Sequence, residues 1–182
     1  LKWMNGEYLR KLTPKDLFEK AKPFLEKAGL MGENPDLLFK AVAIEQEKYK
    51  LLTEIPALID FFFHDVVFDE KSVEKVLLKE GAVAVLEKLG QDLSGLSDWT
   101  EPALEARIRA FCETNGYKPG QVFHPIRVAV SGRQQWPTLF GMLELLGKDN
   151  VLKRAEAARA MVLATNNALY RVEAGIKGWS AS

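Results

Sequence analysis

Apolar residues recur along this chain at three- and four-residue spacing and almost nowhere at two. In LTPKDLFEKAKPFLEKAGL, Leu17, Phe18, Ala21, Phe24, Leu25 and Ala28 make one helical stripe. Thr13 stands where an N-cap belongs, Pro14 takes the first helical position, Asp16 falls in the first turn, and Gly29 follows as a stop. Pro23 is expected to bend that helix. ENPDLLFKAVAIEQEKYKLLTEIP repeats the device, with Asn34 as cap and Pro35 next. A third helix starts near Pro56 in IPALIDFFFHD. FDEKSVEKVLLKEGAVAVLEKLGQDL reads as one interrupted helix or two short ones divided near Gly81. SDWTEPALEARIRAFCETNGY carries a capping Thr100, Pro102 and a terminating Gly116. YKPGQVFHPIRVAVSG, WPTLFGMLELLG and DNVLKRAEAARAMVLATNNALYRVEAG complete the set.

No period-two alternation persists, and no Asn-Gly or Asp-Gly pair joins two strand-like runs. The expected fold class is all-α, with about nine helices joined by short loops. Helix lengths and turn residues vary, which argues against a solenoid. Composition shifts near HDVVFDEKS, so a boundary is expected there between subdomains at 1–70 and 71–182.

The chain has 182 residues, 47% hydrophobic and 27% charged, enough apolar material for a core. Its formal net charge is zero, which does not suit a general DNA binder. The charge is unevenly spread. From Lys118 onward there are nine Lys/Arg and four Asp/Glu, so that part is +5 and residues 1–117 are −5. The C-terminal third could present a basic face to a polyanion; chance scatter is the bland alternative.

Cys112 is the one cysteine and sits in an apolar helical pattern, as a small core residue would. Neither a disulfide within the chain nor a thiolate metal cluster is available. No apolar stretch reaches the roughly 20 residues that span a bilayer, and LKWMNGEYLRK has no signal-peptide core. The expected setting is soluble and cytoplasmic. The chain starts at Leu1 without Met and reads as a fragment or processed product.

Candidate catalysis is sparse. The two histidines, His64 and His124, are far apart in sequence, and no catalytic or phosphate-loop signature occurs. Carboxylate pairs such as Glu45/Glu47 and Glu101/Glu105 fall on solvent-type helix faces. No catalytic and no metal-binding residues are expected.

The stretch FHPIRVAVSGRQQWPTLFGMLELLGK stands apart. Gly132 turns the chain between two helices, and Pro137 suits the first position of the second. An exposed Trp136 beside Arg133, Gln134 and Gln135 makes a stacking face flanked by donors, as single-stranded bases require. Arg127 offers a planar fork for a base edge or phosphate. Equally, Trp136 could staple the helix start and Arg127 could pair with a carboxylate.

PIRVAVSGRQQWPTLFGMLELLGKDNVLKRAEAA resembles the C-terminal end of bacterial-type glutamyl-tRNA synthetases, which carry Pro-Leu-Arg-x-Ala-Leu-Thr-Gly, a loop, a Pro and a helix ending in Leu-Gly-Lys. LKWMNGEYLRKLTPKDL resembles the segment after that family's catalytic body, and DWTEPALEARIRAF matches in the middle. The resemblance implies an all-α, cage-like anticodon-binding region of two helical subdomains. It implies a monomeric parent, a class I aminoacyl-tRNA synthetase, that attaches glutamate to tRNA-Glu. That parent would use ATP and Mg²⁺ in a catalytic body carrying HIGH-like and KMSKS-like signatures. Neither signature occurs here, so no cofactor is expected in this segment. The resemblance further implies that Arg127 meets the middle anticodon base and that Pro137 and Leu139 line the first. Trp136 replaces a small hydroxyl residue. Lys48 stands where discriminating members carry an Arg reading the third base, which opens tRNA-Gln as a second partner; Lys keeps the charge and loses the bidentate fork. A helical protein-interaction module of the same fold is the alternative. A free-standing small enzyme is a third reading, disfavoured by the missing catalytic constellation.

Overall fold

Local capping chemistry starts the first long helices. The computed structural model describes residues 6–135 and 138–173. A short α1 (Gly6–Lys11) leads into α2 (Pro14–Lys27), where Thr13 Oγ1 accepts the Asp16 N–H at 3.1 Å. Asn34 Oδ1 does the same for Leu37 at the start of α3 (Pro35–Ile44), also at 3.1 Å. These side chains satisfy amides that the helix itself leaves open.

The helix expected to run on from Asn34 stops at Ile44. A 3₁₀ turn (Gln46–Lys48) follows, then another (Leu52–Glu54), α4 (Ile55–Ile59) and a third 3₁₀ turn (Asp60–Phe62). Long-range contacts explain the break. The Gln46 amide donates to the Leu9 and Leu12 carbonyls at 3.0 and 2.7 Å, closing the end of α1. Tyr49 is fully buried and its hydroxyl donates to the Val42 carbonyl at 2.9 Å. Tertiary hydrogen bonds here override the local helical pattern.

The interrupted segment resolves into a short α5 (Glu70–Ser72) that widens into a π-helical turn (Val73–Leu77), followed by α6 (Ala82–Ser94). Asp69 Oδ2 caps α5 through the Ser72 N–H at 3.0 Å and accepts the Ser72 hydroxyl at 2.7 Å. α7 (Glu101–Asn115), α8 (Pro119–Ser131), α9 (Leu139–Leu146) and α10 (Lys148–Glu173) complete the chain. Thr100 occupies the N-cap position of α7, but its side chain makes no capping bond. Glu144 of α9 accepts the Glu101 N–H at 2.9 Å, and the Trp99 indole donates to the Leu143 carbonyl at 2.8 Å, so α9 holds the entrance to α7.

The fold class is all-α, and no strand occurs among the described residues. α6 packs on α8 and α10, while α9 lies between α7 and α3. One core joins them, with Leu38, Leu89, Ile108, Val128, Leu143 and Val151 almost wholly buried. Cys112 is buried in this core, and burial pushes its thiol pKa up. Around residues 64–72 the chain bonds to later elements. Asp69 N–H donates to the Gly132 carbonyl at 2.8 Å, and Arg154 donates to the His64 carbonyl at 3.2 Å.

Candidate nucleic-acid interface

The turn between α8 and α9 is built by a glycine and a set of side-chain clips. Gly132 has φ +84°, a left-handed conformation that closes α8 by donating its N–H to the Val128 carbonyl at 2.7 Å. The Ser131 hydroxyl donates to the Arg127 carbonyl at 2.6 Å and accepts the Arg133 N–H at 3.3 Å. The Gln134 N–H reaches the Ser72 hydroxyl at 3.2 Å. The turn is thereby fixed to α5 before it reaches α9.

Arg133 faces inward. Its guanidinium donates to the Leu58 and Ala57 carbonyls at 3.0 and 3.3 Å, lies 4.0 Å from Asp60, and sits 5.3 Å from the Phe61 ring centre. Burial lowers its pKa, and Asp60 and Glu45 oppose that shift. Arg133 therefore ties the turn to the end of α4. Leu139, the first residue of α9, is buried in the core. Trp136 and Pro137 lie outside the described residues.

Arg127 and Lys48 meet at a residue that the sequence pattern assigns to solvent. The pattern places Glu45 on an exposed helix face beside Glu47; in the fold it is 1% exposed. The reason is the early end of α3. Glu45 is its C-cap, and the following 3₁₀ turn rotates the carboxylate inward. Its Oε1 accepts the Thr138 N–H at the entrance to α9, at 2.6 Å. Its Oε2 lies 3.8 Å from the Lys48 ammonium. Arg127, half-buried on α8, has its pKa lowered by burial, and the Glu45 charge works against that shift. One carboxylate thus pairs with Lys48, holds the start of α9 and couples electrostatically to Arg127, from elements far apart in sequence.

Two open cavities flank the turn. One, of about 340 Å³, is lined by Asp69, Lys71, Ser72, Lys75, Arg133 and Gln134 among others. The other, of about 520 Å³, shares Lys75 and Gln134 and adds Lys79, Lys118, His124 and the Tyr117 ring, with Glu80 and an apolar wall that includes Val76 and Val85. The positive surface is therefore not confined to the C-terminal third, since Lys71, Lys75 and Lys79 come from the acidic part of the chain. Sequence reasoning missed these lysines and Glu45. The lysines' four-residue spacing from 71 to 79 was the available signal, because a regular helix would put them on one face; here the chain passes through a π-helical turn and Lys79 lies beyond it. A basic groove with amide and ring edges can hold a phosphodiester strand and meet its bases. Among the described residues, no group of three His, Cys, Asp or Glu could hold a metal ion, and no helix is long and apolar enough to cross a membrane.

Comparison with known proteins bears on this surface. A family model described as an anticodon binding domain matches residues 16–159. The glutamate–tRNA ligase of Elusimicrobium minutum is 48% identical over 160 residues, covering 87% of this chain and 33% of its own length. A glutamate–tRNA ligase of Thermus thermophilus is 40% identical over 162 residues, covering 88% and 34%. The chain thus spans about a third of the length of these curated relatives. A crystal structure of a glutamate tRNA ligase from Elizabethkingia meningosepticum superposes with TM-score 0.76 at 23% identity, over 88% of this chain and 32% of that one. At that identity the likeness carries the fold.

Proposed function

We propose a function from one premise: the chain belongs to the anticodon binding domain family. Within it, this chain is the tRNA-reading part of a glutamate–tRNA ligase, with residues 1–70 and 71–182 as two helical subdomains. The parent joins glutamate to tRNA-Glu, and the ATP- and Mg²⁺-dependent chemistry belongs to the rest of it. This segment recognises the anticodon and carries out no bond-making of its own. The supporting observation is the lysine-rich groove at the turn between α8 and α9, together with the pairing of Lys48 with Glu45, to which Arg127 is electrostatically coupled.

In this reading Arg127 and Lys48 meet base edges, and Trp136 stacks. Leu139 and Pro137 set the shape of the entrance to α9, and Arg133 holds the turn in place. An ammonium at position 48 gives one point charge where an arginine would give a fixed fork, so discrimination at the third anticodon base is relaxed.

The test is a titration of the chain with tRNA-Glu, tRNA-Gln and a tRNA-Glu carrying a scrambled anticodon, at two salt concentrations. Preference for tRNA-Glu over the scrambled form, weakening steeply with salt, is the expected result. Near-equal binding of tRNA-Gln supports the relaxed role of Lys48. In the same assay Trp136→Ala weakens binding by about 1–3 kcal/mol if the indole stacks on a base. Absence of binding at every salt concentration overturns the proposal in favour of a protein-interaction module.

A further inference from the structure

Glu45 holds more charge than its visible bonds require. Capping the entrance to α9 needs one acceptor for the Thr138 N–H, and a neutral side chain supplies that. Oε1 performs this task at 2.6 Å. The second oxygen, Oε2, is buried and makes no hydrogen bond among the described residues, with the Lys48 ammonium 3.8 Å away. Burying a carboxylate is costly unless nearby charge compensates it. Three cations supply that compensation: Lys48 directly, Arg127 and Arg133 through their electrostatic coupling to Glu45.

The same cluster can be viewed from the cations. Lys48 lies against the carboxylate, and the half-buried Arg127 and Arg133 act on it electrostatically. Without a counter-charge such a cluster is an anion trap, and the anion that RNA offers everywhere is phosphate. Phosphate contacts raise affinity for every sequence alike, while base edges carry the sequence information. We propose that Glu45 is a specificity-determining positioning residue. Its buried charge keeps Lys48 and Arg127 from closing on a phosphate, so that a neutral base edge is the ligand they accept. This rests on the anticodon-reading proposal for the site, and it assigns Glu45 an electrostatic task in addition to its cap.

Glu45→Gln tests it, because the amide oxygen still accepts the Thr138 N–H while the charge is gone. Glu45→Met is the second variant, should the first fail to fold. It removes the same charge and also the acceptor for the Thr138 N–H, so it is compared by its sulfate response and not by its absolute stability. Two readouts separate this proposal from the one beneath it. The first uses protein alone: thermal midpoints in chloride and in inorganic sulfate at matched ionic strength. Sulfate is expected to raise the midpoint of the variant by about 3 °C more than that of the wild type, as an anion bound only by the folded state does. The double variant Glu45→Gln/Lys48→Gln restores the charge balance and is expected to return to the wild-type response, which a purely structural role for Glu45 would not produce.

The second readout is tRNA binding by wild type and variant. The salt slope of the variant is expected to steepen by about 0.7–0.9, one additional phosphate contact, and the preference for tRNA-Glu over the scrambled anticodon to fall about tenfold. Equal sulfate responses in wild type and variant overturn the role of Glu45 whatever the RNA does. Failure of the wild type to prefer tRNA-Glu overturns the anticodon reading, and the sulfate comparison still decides whether Glu45 guards the cluster against anions.

Discussion

Gly132→Ala is the sharpest test of how the candidate interface is held. Gly132 has φ +84°, where an L-residue with a Cβ costs about 1–2 kcal/mol. A Cβ placed there would also lie far inside van der Waals contact with the Val67 carbonyl oxygen and 3.0 Å from Val66 Cγ1. The first obstacle is backbone, so no rotamer change relieves it. The segment carrying the Asp69 N–H bond to the Gly132 carbonyl must move, and such overpacking costs about 1–3 kcal/mol more. Gly116→Ala is the internal control. Its φ is +69° and nothing lies within 4 Å of the added Cβ, so it carries the conformational cost alone. Alanine also lowers the entropy of the unfolded chain, worth about 0.4–1 kcal/mol, but this applies to both sites and cancels in the comparison. Urea unfolding followed by helical circular dichroism should therefore show Gly132→Ala losing about 2–5 kcal/mol, a fall of about 10 °C in Tm, and Gly116→Ala losing about 1–2 kcal/mol at most. Equal losses at the two positions would refute the argument that the turn is pinned against the chain at Val67.

Arg133→Met is expected to cost about 2 kcal/mol, read from the urea midpoint at constant m-value, since it removes charged donors from the Leu58 and Ala57 carbonyls. A loss below about 0.5 kcal/mol would mean that the guanidinium is not needed to tie the turn to α4. His124 gives a prediction in pH. Burial, Arg127 and Lys79 all hold its pKa below 6.5, so the unfolded chain takes up the proton first as pH falls. The associated stability is fully present above pH 6.5 and is lost as pH drops through the lower folded value. His124→Asn should therefore flatten the decline in Tm between neutral pH and about pH 5, and an unchanged decline would show that His124 does not titrate this way. The imidazole is exposed to solvent, which screens its neighbours, so the change is expected to be small.

Helix entries were legible because capping is local. Thr13, Pro14 and Asp16, then Asn34 and Pro35, are adjacent in sequence and act on amides within three residues. The same local logic fails at Thr100, whose side chain caps nothing, while Glu144 of α9 reaches across to accept the neighbouring Glu101 N–H. It fails again after Ile44, where Gln46 reaches the distant Leu9 and Leu12 carbonyls and the buried Tyr49 turns its hydroxyl back onto Val42. The π-helical turn at Val73–Leu77 leaves no signal beyond the interruption read near Gly81. At Thr100 and after Ile44 the competing bonds come largely from residues outside any local window.

The site divides along the same line. Arg127 and Lys48 stand out by residue type and by resemblance, but nothing in either segment indicates what brings them together. The organiser, Glu45, lies three residues from Lys48 in a run of charged and polar side chains that reads as a wet face. It is buried because its helix ends one residue earlier, and its partner Thr138 is 93 positions away. A buried carboxylate needs hydrogen bonds and compensating charge; Glu45 has the Thr138 N–H, the Lys48 ammonium 3.8 Å away and the Arg127 charge, so its burial and the placing of those cations belong together. Arg133 shows the converse. An arginine beside a tryptophan reads as a contact for RNA, yet its donors serve the carbonyls at the end of α4. Residue type narrows which side chains can read a base; whether a given one faces the ligand or the fold is decided by which unsatisfied backbone groups lie within its reach.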